Sequence, residues 1–205
     1  MATTFQDLNL SQPILSAIEK LGFTHPTSIQ EKAIPALLNT NTDFHGQAET
    51  GTGKTLAFGI PLLESVDASD RSTQALIVAP TRELVMQITQ SLKEVSREAK
   101  ISVEPIYGGV SIDNQIRNLR RGVHIAVGTP GRLNDLLNRG KLKIDGISTL
   151  VLDEADIMLD MGFREDIDII LKYAPKTRNI WLFSAKVKEG INRLSRTHMS
   201  NPVVI

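Results

Sequence analysis

The chain of 205 residues contains no cysteine and no long apolar run. The lack of cysteine excludes disulfide bonds, thiolate metal sites and thiol nucleophiles. A bilayer-spanning helix needs about 20 consecutive apolar residues, and the sequence has no such segment. Met1 to Phe5 also lack the basic and apolar regions of a signal peptide. We therefore expect a soluble, cytoplasmic protein that has no membrane partner.

The chain also lacks an excess of charge of either sign. Its 23 basic and 23 acidic side chains give a formal net charge of zero, which does not indicate a general attraction to nucleic acid. A polyanionic partner would have to be held by local groups of residues. The four histidines show no metal-ligand spacing, which leaves open a metal held only through phosphates.

The segment Ala48 to Thr55 reads Ala-Glu-Thr-Gly-Thr-Gly-Lys-Thr and has the composition of a phosphate-binding loop. Gly51 and Gly53 permit torsions and close approaches that let backbone N–H groups converge on phosphate oxygens at a helix N-terminus. Lys54 is expected to reach the outer phosphates, and Thr55 to ligate Mg²⁺. A glycine-rich surface turn with an exposed lysine is the alternative. The same loop adds Glu49, Thr50 and Thr52 as candidate nucleotide-binding residues.

Short apolar runs alternate with helical segments, and the chain length suits a single structural domain. Strands that are apolar throughout and separated by helices indicate a mostly parallel sheet in an α/β fold. The strand-like run at 201–205 ends with the chain, which suggests a fragment of a longer protein. We predict strands at 75–79, 103–106, 123–127, 149–152 and 180–183, with an extended segment at 42–46, and helices near 12–21, 28–38, 54–64, 82–98, 112–121, 131–138, 164–173 and 187–197.

An acidic cluster, Asp153-Glu154-Ala155-Asp156, follows the apolar strand that ends at Leu152. A carboxylate at the carboxyl edge of a strand can hold Mg²⁺ through its water shell. An adjacent carboxylate can position or deprotonate the water that attacks a γ-phosphate. An acidic, solvated turn is the alternative interpretation of these four residues.

Taken together, the loop and the acidic cluster resemble motifs of the DEAD-box RNA helicases. The remaining first-domain motifs of that family follow in order, so the resemblance covers nearly the whole chain. It implies an N-terminal RecA-like P-loop NTPase domain, with a mostly parallel sheet flanked by helices on both faces. A Q-motif region at 1–31 would pack on an ATP-binding domain at 32–205. The other matching segments are 22–30 with Phe5 upstream, 80–84, 108–109, 129–132 and 184–186.

The resemblance implies ATP and Mg²⁺ as cofactors. Gln30 carries both donors and an acceptor, which suits the Hoogsteen edge of adenine and favours ATP over GTP. Phe5, Phe23 and Pro26 would complete the adenine pocket, although a core position is equally open for Phe5. The expected catalytic residues are Lys54, Asp153 and Glu154, with Thr55 and Asp153 holding the metal.

The resemblance also implies a groove that holds single-stranded RNA by its sugar-phosphate backbone. Hydroxyls, glycine N–H groups and arginines contact a polymer backbone without reading its bases. Arg82 could instead pair with a neighbouring carboxylate, and Gly108-Gly109 could simply form a turn. The implied RNA-binding residues are Pro80, Thr81, Arg82, Gly109, Thr129, Pro130, Gly131 and Arg132.

One motif departs from the family pattern of serine, alanine and threonine, because Lys186 occupies the position of the threonine. In the family this segment is thought to link the nucleotide site to strand separation through a partner of Asp156, with Ser184 in the same motif. Lysine retains donors but cannot accept a hydrogen bond, so we expect nucleotide binding to survive while coupling to unwinding is weakened or altered.

A second RecA-like domain, the expected C-terminal partner, is absent from this sequence. That domain contributes an arginine finger, which is worth on the order of 10³–10⁵ in rate in nucleotide hydrolases. The chain alone should therefore hydrolyse ATP poorly. Two alternatives remain: an ATP-dependent RNA clamp or assembly factor with little unwinding activity, and an unrelated P-loop ATPase or DNA translocase.

Overall fold

The computed structural model describes residues 3–39 and 41–205, which are built around a seven-stranded parallel sheet. The strand order is β3-β4-β2-β5-β6-β1-β7. β-Branched and apolar residues dominate the central strands, as expected where both faces are buried. The strands are β1 Phe44–Gln47, β2 Ala75–Val78, β3 Val103–Ile106, β4 Ile125–Gly128, β5 Thr149–Leu152, β6 Asn179–Ser184 and β7 Val203–Val204.

The helices flank the sheet, and none in the described ranges has the length and apolar character to cross a membrane. Each predicted helix is present, with ends shifted by up to two residues. A six-residue helix within 155–160 was not predicted, because one and a half turns give too short a periodic pattern. The helices are α1 Gln12–Lys20, α2 Ser28–Asn39, α3 Lys54–Ser65, α4 Arg82–Ser96, α5 Ile112–Arg120, α6 Pro130–Asn138, α7 Ala155–Asp160, α8 Arg164–Tyr173 and α9 Glu189–His198, preceded by a 3₁₀ helix at Phe5–Leu8.

Two hydrophobic layers cover the two faces of the sheet. In β2, Ala75 and Ile77 join the core formed with α1 to α4, while Leu76 and Val78 join the core formed with α6 to α9. This alternation follows from the two-residue period of a strand. The predicted α/β fold with helices on both faces is confirmed.

The strand register brings the predicted motifs to one edge of the sheet. Val78 pairs with Leu152, and Gln47 pairs with Ser184. The N–H of Asp153 donates to the Val78 carbonyl at 3.0 Å, and the N–H of Ala48 donates to the Ser184 carbonyl at 3.1 Å. The residues that follow β1, β2, β5 and β6 therefore leave the sheet together, which is where ligands gather in open parallel sheets.

Replacing Gly128 with alanine should lower the free energy of unfolding by about 1–3 kcal/mol, the usual cost of overpacking. A Cβ at this position would lie 2.6 Å from Leu133 Cδ2 and 2.8 Å from the Ile106 carbonyl oxygen. Urea unfolding measures the change. Gly146→Ala is the matched control, since no described atom lies within 4 Å of its added carbon. Equal midpoints for the two variants would contradict this packing.

Candidate functional site

The phosphate-binding loop runs from the end of β1 to the start of α3. Gly53 has φ 88° and caps α3, whose first residue is Lys54. A Cβ on Gly53 would lie 2.6 Å from Gln30 Nε2 and 2.8 Å from Thr27 Oγ1, whereas one on Gly51 would meet no described atom within 4 Å. Gly53 is thus required by both its backbone conformation and its close packing, whereas Gly51, with φ 78°, is required by its backbone conformation alone. Within the loop, the Thr52 hydroxyl donates to the Glu49 carbonyl at 2.7 Å.

Gln30 joins the segment before α2 to this loop. Its Oε1 accepts from the Thr27 N–H at 2.9 Å, and its Nε2 donates to the Gly53 carbonyl at 2.9 Å. The side chain is nearly fully buried. Two hydrogen bonds to backbone groups therefore fix the orientation of the amide, and they make the loop conformation depend on a residue in the first turn of α2.

The predicted aromatic residues differ sharply in exposure. Phe5 is only 4% exposed and belongs to the core on the α1 to α4 face, whereas Phe23 is 47% exposed. Both nevertheless line one cavity of about 490 Å³. Pro26 is half-buried in the turn before α2. The burial of Phe5 agrees with the core alternative, and the lining of the cavity that it shares with Phe23 includes neither Gln30 nor any residue of the loop at 48–55.

The acidic cluster lies against the lysine of the loop. Lys54 Nζ is 3.2 Å from Asp153 Oδ1 and 3.9 Å from Glu154 Oε1. Burial raises the pKa of Asp153, and the nearby Lys54 ammonium opposes that change. Burial also raises the pKa of the less buried Glu154, again against the effect of Lys54. A cation and two carboxylates with unequal environments thus share one site.

The hydrogen-bonding capacity of this group is not used up within the described residues. Lys54 Nζ, Asp153 Oδ2 and Asp156 Oδ1 are buried without a hydrogen-bond partner there, so the contact from Lys54 to Asp153 is an ion pair only. Buried polar atoms are normally satisfied. An unsatisfied ammonium beside unsatisfied carboxylates fits a phosphate and the water shell of a cation.

A metal at this position would need ligands from outside the protein. Among the described residues, no group of three or more His, Asp or Glu could hold a metal ion. Thr55, which is half-buried in the first turn of α3, and Asp153 are the residues available to such an ion. Their hard oxygen atoms suit Mg²⁺, which usually keeps several waters and binds substrate phosphates.

Glu154 adopts a strained backbone conformation, with φ 51° and ψ 46°. Such left-handed geometry costs a non-glycine residue about 1–3 kcal/mol and recurs at functional sites. The Glu154 N–H donates to Asp153 Oδ1 at 2.9 Å. Asp153 Oδ1 therefore both accepts from the next residue along the chain and lies 3.2 Å from Lys54 Nζ.

Asp156 links the acidic cluster to the segment after β6. Its Oδ2 accepts from the Lys186 backbone N–H at 3.0 Å. The Lys186 side chain is exposed, whereas Ser184 is fully buried with Oγ 3.3 Å from His45 Nε2. Burial lowers the pKa of His45. Sequence reasoning missed this histidine, because its contact depends on the parallel pairing of β1 with β6.

The first half of the predicted RNA-binding set lies around the start of α4. The Thr81 hydroxyl caps this helix by accepting from the Leu84 N–H at 3.2 Å. The exposed Arg82 guanidinium stacks 4.9 Å above the Tyr107 ring and forms no ion pair within the described residues. Gly109, with φ 80°, lies beside it, while Pro80 is buried. The alternative of a carboxylate partner for Arg82 is not what the structure shows.

The second half lies at the start of α6, on the neighbouring strand end. Thr129 is the N-cap residue, Pro130 is buried, and Gly131 is exposed. Arg132 donates from Nη1 to Gln115 Oε1 at 3.0 Å and to the Val110 carbonyl at 3.3 Å. Two helix N-termini and two positioned arginines thus face the same sheet edge. Tyr107 and Gln115, which orient those arginines, had no recognisable motif in the sequence.

The sequence matches the DEAD/DEAH box helicase family over residues 27–194. It is 49% identical to the DEAD-box ATP-dependent RNA helicase CshA of Geobacillus kaustophilus, over 99% of this chain and 43% of that protein. Identity to CshA of Streptococcus pneumoniae is 48%, over 97% of this chain and 38% of that protein. The chain therefore spans less than half the length of these curated relatives.

Solved structures give the same result. The crystal structure of a DEAD box protein from Methanococcus jannaschii matches with a TM-score of 0.93 at 41% identity, over 98% of this chain and 55% of that one. A hypothetical ATP-dependent RNA helicase from Sulfolobus tokodaii matches with a TM-score of 0.88 at 36% identity, over 96% and 57%. These matches confirm the predicted RecA-like P-loop fold. On sequence and structure alike, this chain belongs to the DEAD/DEAH box helicase family.

Proposed function

We propose that the chain is the N-terminal RecA-like half of a cytoplasmic, ATP-dependent RNA helicase. Residues 1–31, of which the first two lie outside the described residues, would form the Q-motif region. Residues 32–205 would form the ATP-binding domain, which would act together with a C-terminal RecA-like domain. The approach of Lys54 to Asp153 and Glu154 is the observation that carries this proposal.

ATP is proposed to bind along the loop from Glu49 to Thr55. The N–H groups at the start of α3 would surround the phosphates, because a helix N-terminus favours anions. Lys54 would contact the outer phosphates with an ammonium that has no hydrogen-bond partner in the described residues. Gln30 would recognise adenine at the end of the loop that it already stabilises, with Phe5, Phe23 and Pro26 forming the adjoining wall.

Hydrolysis is proposed to use the two adjacent carboxylates differently. Mg²⁺, when bound, would offset phosphate charge, with Thr55 and the buried Asp153 as the residues available to hold it or its waters. Glu154, which is less buried, would position the attacking water and accept its proton. Burial raises the pKa of Glu154 toward neutral pH, which is the range that suits a general base.

RNA is proposed to lie across the starts of α4 and α6. The Thr81 and Thr129 segments, the exposed Gly109 and Gly131, and the two oriented arginines would contact sugar and phosphate. These groups contact a backbone without reading bases, so binding should not depend on sequence. Closure with the second domain on ATP and RNA would complete the groove and separate one strand from its complement.

An RNA clamp with little unwinding activity is the second candidate, and the Asp156 contact favours it. The family threonine hydroxyl is replaced by Lys186, whose backbone N–H satisfies Oδ2 while Oδ1 has no hydrogen-bond partner in the described residues. Nucleotide binding does not require that missing bond, but transmission toward strand separation would. The two candidate functions therefore differ in whether residue 186 supplies a hydrogen bond to Asp156 Oδ1.

Lys54→Gln should weaken the binding of a fluorescent ADP in the presence of Mg²⁺ by about 10- to 100-fold. The variant loses a charge-assisted hydrogen bond, which is worth about 1.5–3 kcal/mol. Equilibrium fluorescence titration measures the dissociation constant, with thermal unfolding to verify the fold. Lys93→Gln on the exposed surface of α4 should leave binding unchanged. An unaltered affinity for Lys54→Gln would remove the basis of the nucleotide site.

Glu154→Gln should lower the RNA-stimulated ATPase rate of the whole protein by about 10²–10⁴-fold, the usual contribution of a general base, while nucleotide affinity is retained. Exposed Glu165→Gln serves as the control. In the wild type, activity should fall as pH decreases through the raised pKa of Glu154, because protonation removes the base. Steady-state rates across pH test both points. Full activity of the glutamine variant would exclude this role.

Lys186→Thr should increase duplex unwinding per ATP hydrolysed by the whole protein, with little change in nucleotide affinity. A threonine hydroxyl can donate to Asp156 Oδ1, and satisfying a buried acceptor is worth about 1–3 kcal/mol. Strand-displacement assays run beside ATPase assays measure the ratio. Lys186→Ala removes the charge without supplying the hydroxyl, and should not restore coupling. Equal ratios for the wild type and the threonine variant would reject this explanation.

A further inference from the structure

A basic groove lies between α8 and α9, away from the residues assigned above. It has a volume of about 610 Å³. Arg164 and Lys172 lie on one side along α8, and Arg193 and His198 on the other along α9. Spacings of four residues, from Arg164 through Asp168 to Lys172 on α8 and from Arg193 to Thr197 on α9, place these lining residues on one side of each helix. Lys176 and Arg178, in the loop before β6, complete this basic groove.

The single carboxylate of the groove is already paired. Asp168 Oδ1 lies 2.9 Å from His198 Nε2, and Oδ2 accepts from Arg164 Nε at 3.2 Å. The four remaining lysines and arginines, Lys172, Lys176, Arg178 and Arg193, make no ion pair within the described ranges. The groove therefore has an excess of positive charge in a chain whose total charge is zero.

A favourable interaction with a helix dipole explains the position of only some of these basic residues. Lys172 lies in the last turn of α8, where a cation is favoured. Arg193 lies in the middle of α9, and Lys176 and Arg178 lie beyond the end of α8. In addition, the buried Arg178 Nε has no hydrogen-bond partner in the described residues, although Nη1 donates to the Lys176 carbonyl at 3.3 Å. One N–H donor of a groove-lining arginine therefore has no acceptor among the described residues.

The chemistry of the lining favours phosphate groups over a peptide. Guanidinium groups match phosphate oxygens with paired donors, and lysines add point charges. Peptides that bind grooves usually anchor through apolar side chains, but Leu171 and Ala174 are the apolar residues among the groove's described lining. The aromatic ring in that lining is the imidazole of His198, whose Nε2 lies 2.9 Å from Asp168 Oδ1. The excess of guanidinium and ammonium groups therefore suits a sugar-phosphate backbone better than its bases.

We propose that the basic groove is an accessory binding site for the backbone of RNA, separate from the surface at the starts of α4 and α6. That the polyanion is RNA rests on the proposed function, whereas its phosphate chemistry does not. Lys176 and Arg178 precede β6, and Ser184 ends it. Six residues at about 3.3 Å each place the two ends roughly 20 Å apart. The groove therefore lies toward the opposite end of β6 from the sheet edge that carries the site described above.

Charge reversal tests the site in the 205-residue chain. Lys172→Glu with Lys176→Glu should weaken the binding of a fluorescein-labelled oligouridylate by about tenfold or more at low salt, and should reduce the log–log salt slope by about 1.4, or roughly 0.7 for each lost phosphate contact. All four substituted side chains, in the variant and its control, are exposed. The control, Lys32→Glu with Lys93→Glu, makes the same charge change on helices of the opposite sheet face. Fluorescence anisotropy measures both.

The absence of native cysteine allows a second, local measurement. A Thr197→Cys variant places one thiol in the groove, and its alkylation rate should fall at least several-fold when the oligouridylate is added. A Lys93→Cys variant should react at the same rate with and without RNA. Protection of the groove thiol would support the site even if charge reversal disturbed the fold.

The outcomes separate this inference from the proposed function. Equal weakening by both charge-reversal pairs, or no protection of the groove thiol, would overturn the accessory site. If Arg82→Ala with Arg132→Ala still weakened RNA binding, the proposed RNA function would stand without the groove. Equal protection and affinity with DNA of matching sequence would support a phosphate site while counting against RNA as its particular ligand.

Discussion

The buried contact between Lys54 and the carboxylates after β5 is the interaction on which the site depends. Removing a cation and a carboxylate from water is costly unless their remaining polar atoms find partners. Here the ion pair leaves Lys54 Nζ and Asp153 Oδ2 unsatisfied within the described residues. The arrangement is therefore incompletely stabilised by the protein alone, and a phosphate with its cation would supply the interactions that it lacks.

The parallel sheet makes that contact possible between residues far apart in sequence. β1 and β5 are both paired with β6, so the loop after β1 and the cluster after β5 leave the same edge. This much could be predicted, because continuous apolar strands and the glycine pattern of the loop indicate a parallel sheet. The family resemblance supplied the prediction of the remaining motifs.

Other features could not be read from the sequence because they depend on distant contacts. Tyr107 beneath Arg82, Gln115 beside Arg132 and His45 beside Ser184 are ordinary residues until the fold brings them together. The short helix after Glu154 had too few turns for a periodic signal. The basic groove was also hidden, since its cations come from two helices and a loop in a chain without net charge.

The amide of Gln30 has a consequence beyond local packing. One side chain holds the Gly53 carbonyl and is also the group proposed to meet the base. Base identity and loop geometry are then thermodynamically linked, and such linkage is reciprocal. A nucleotide whose base forms poor hydrogen bonds with the amide should bind to a less ordered loop. The choice between purines would then change the contacts to the phosphates as well as the contacts to the base.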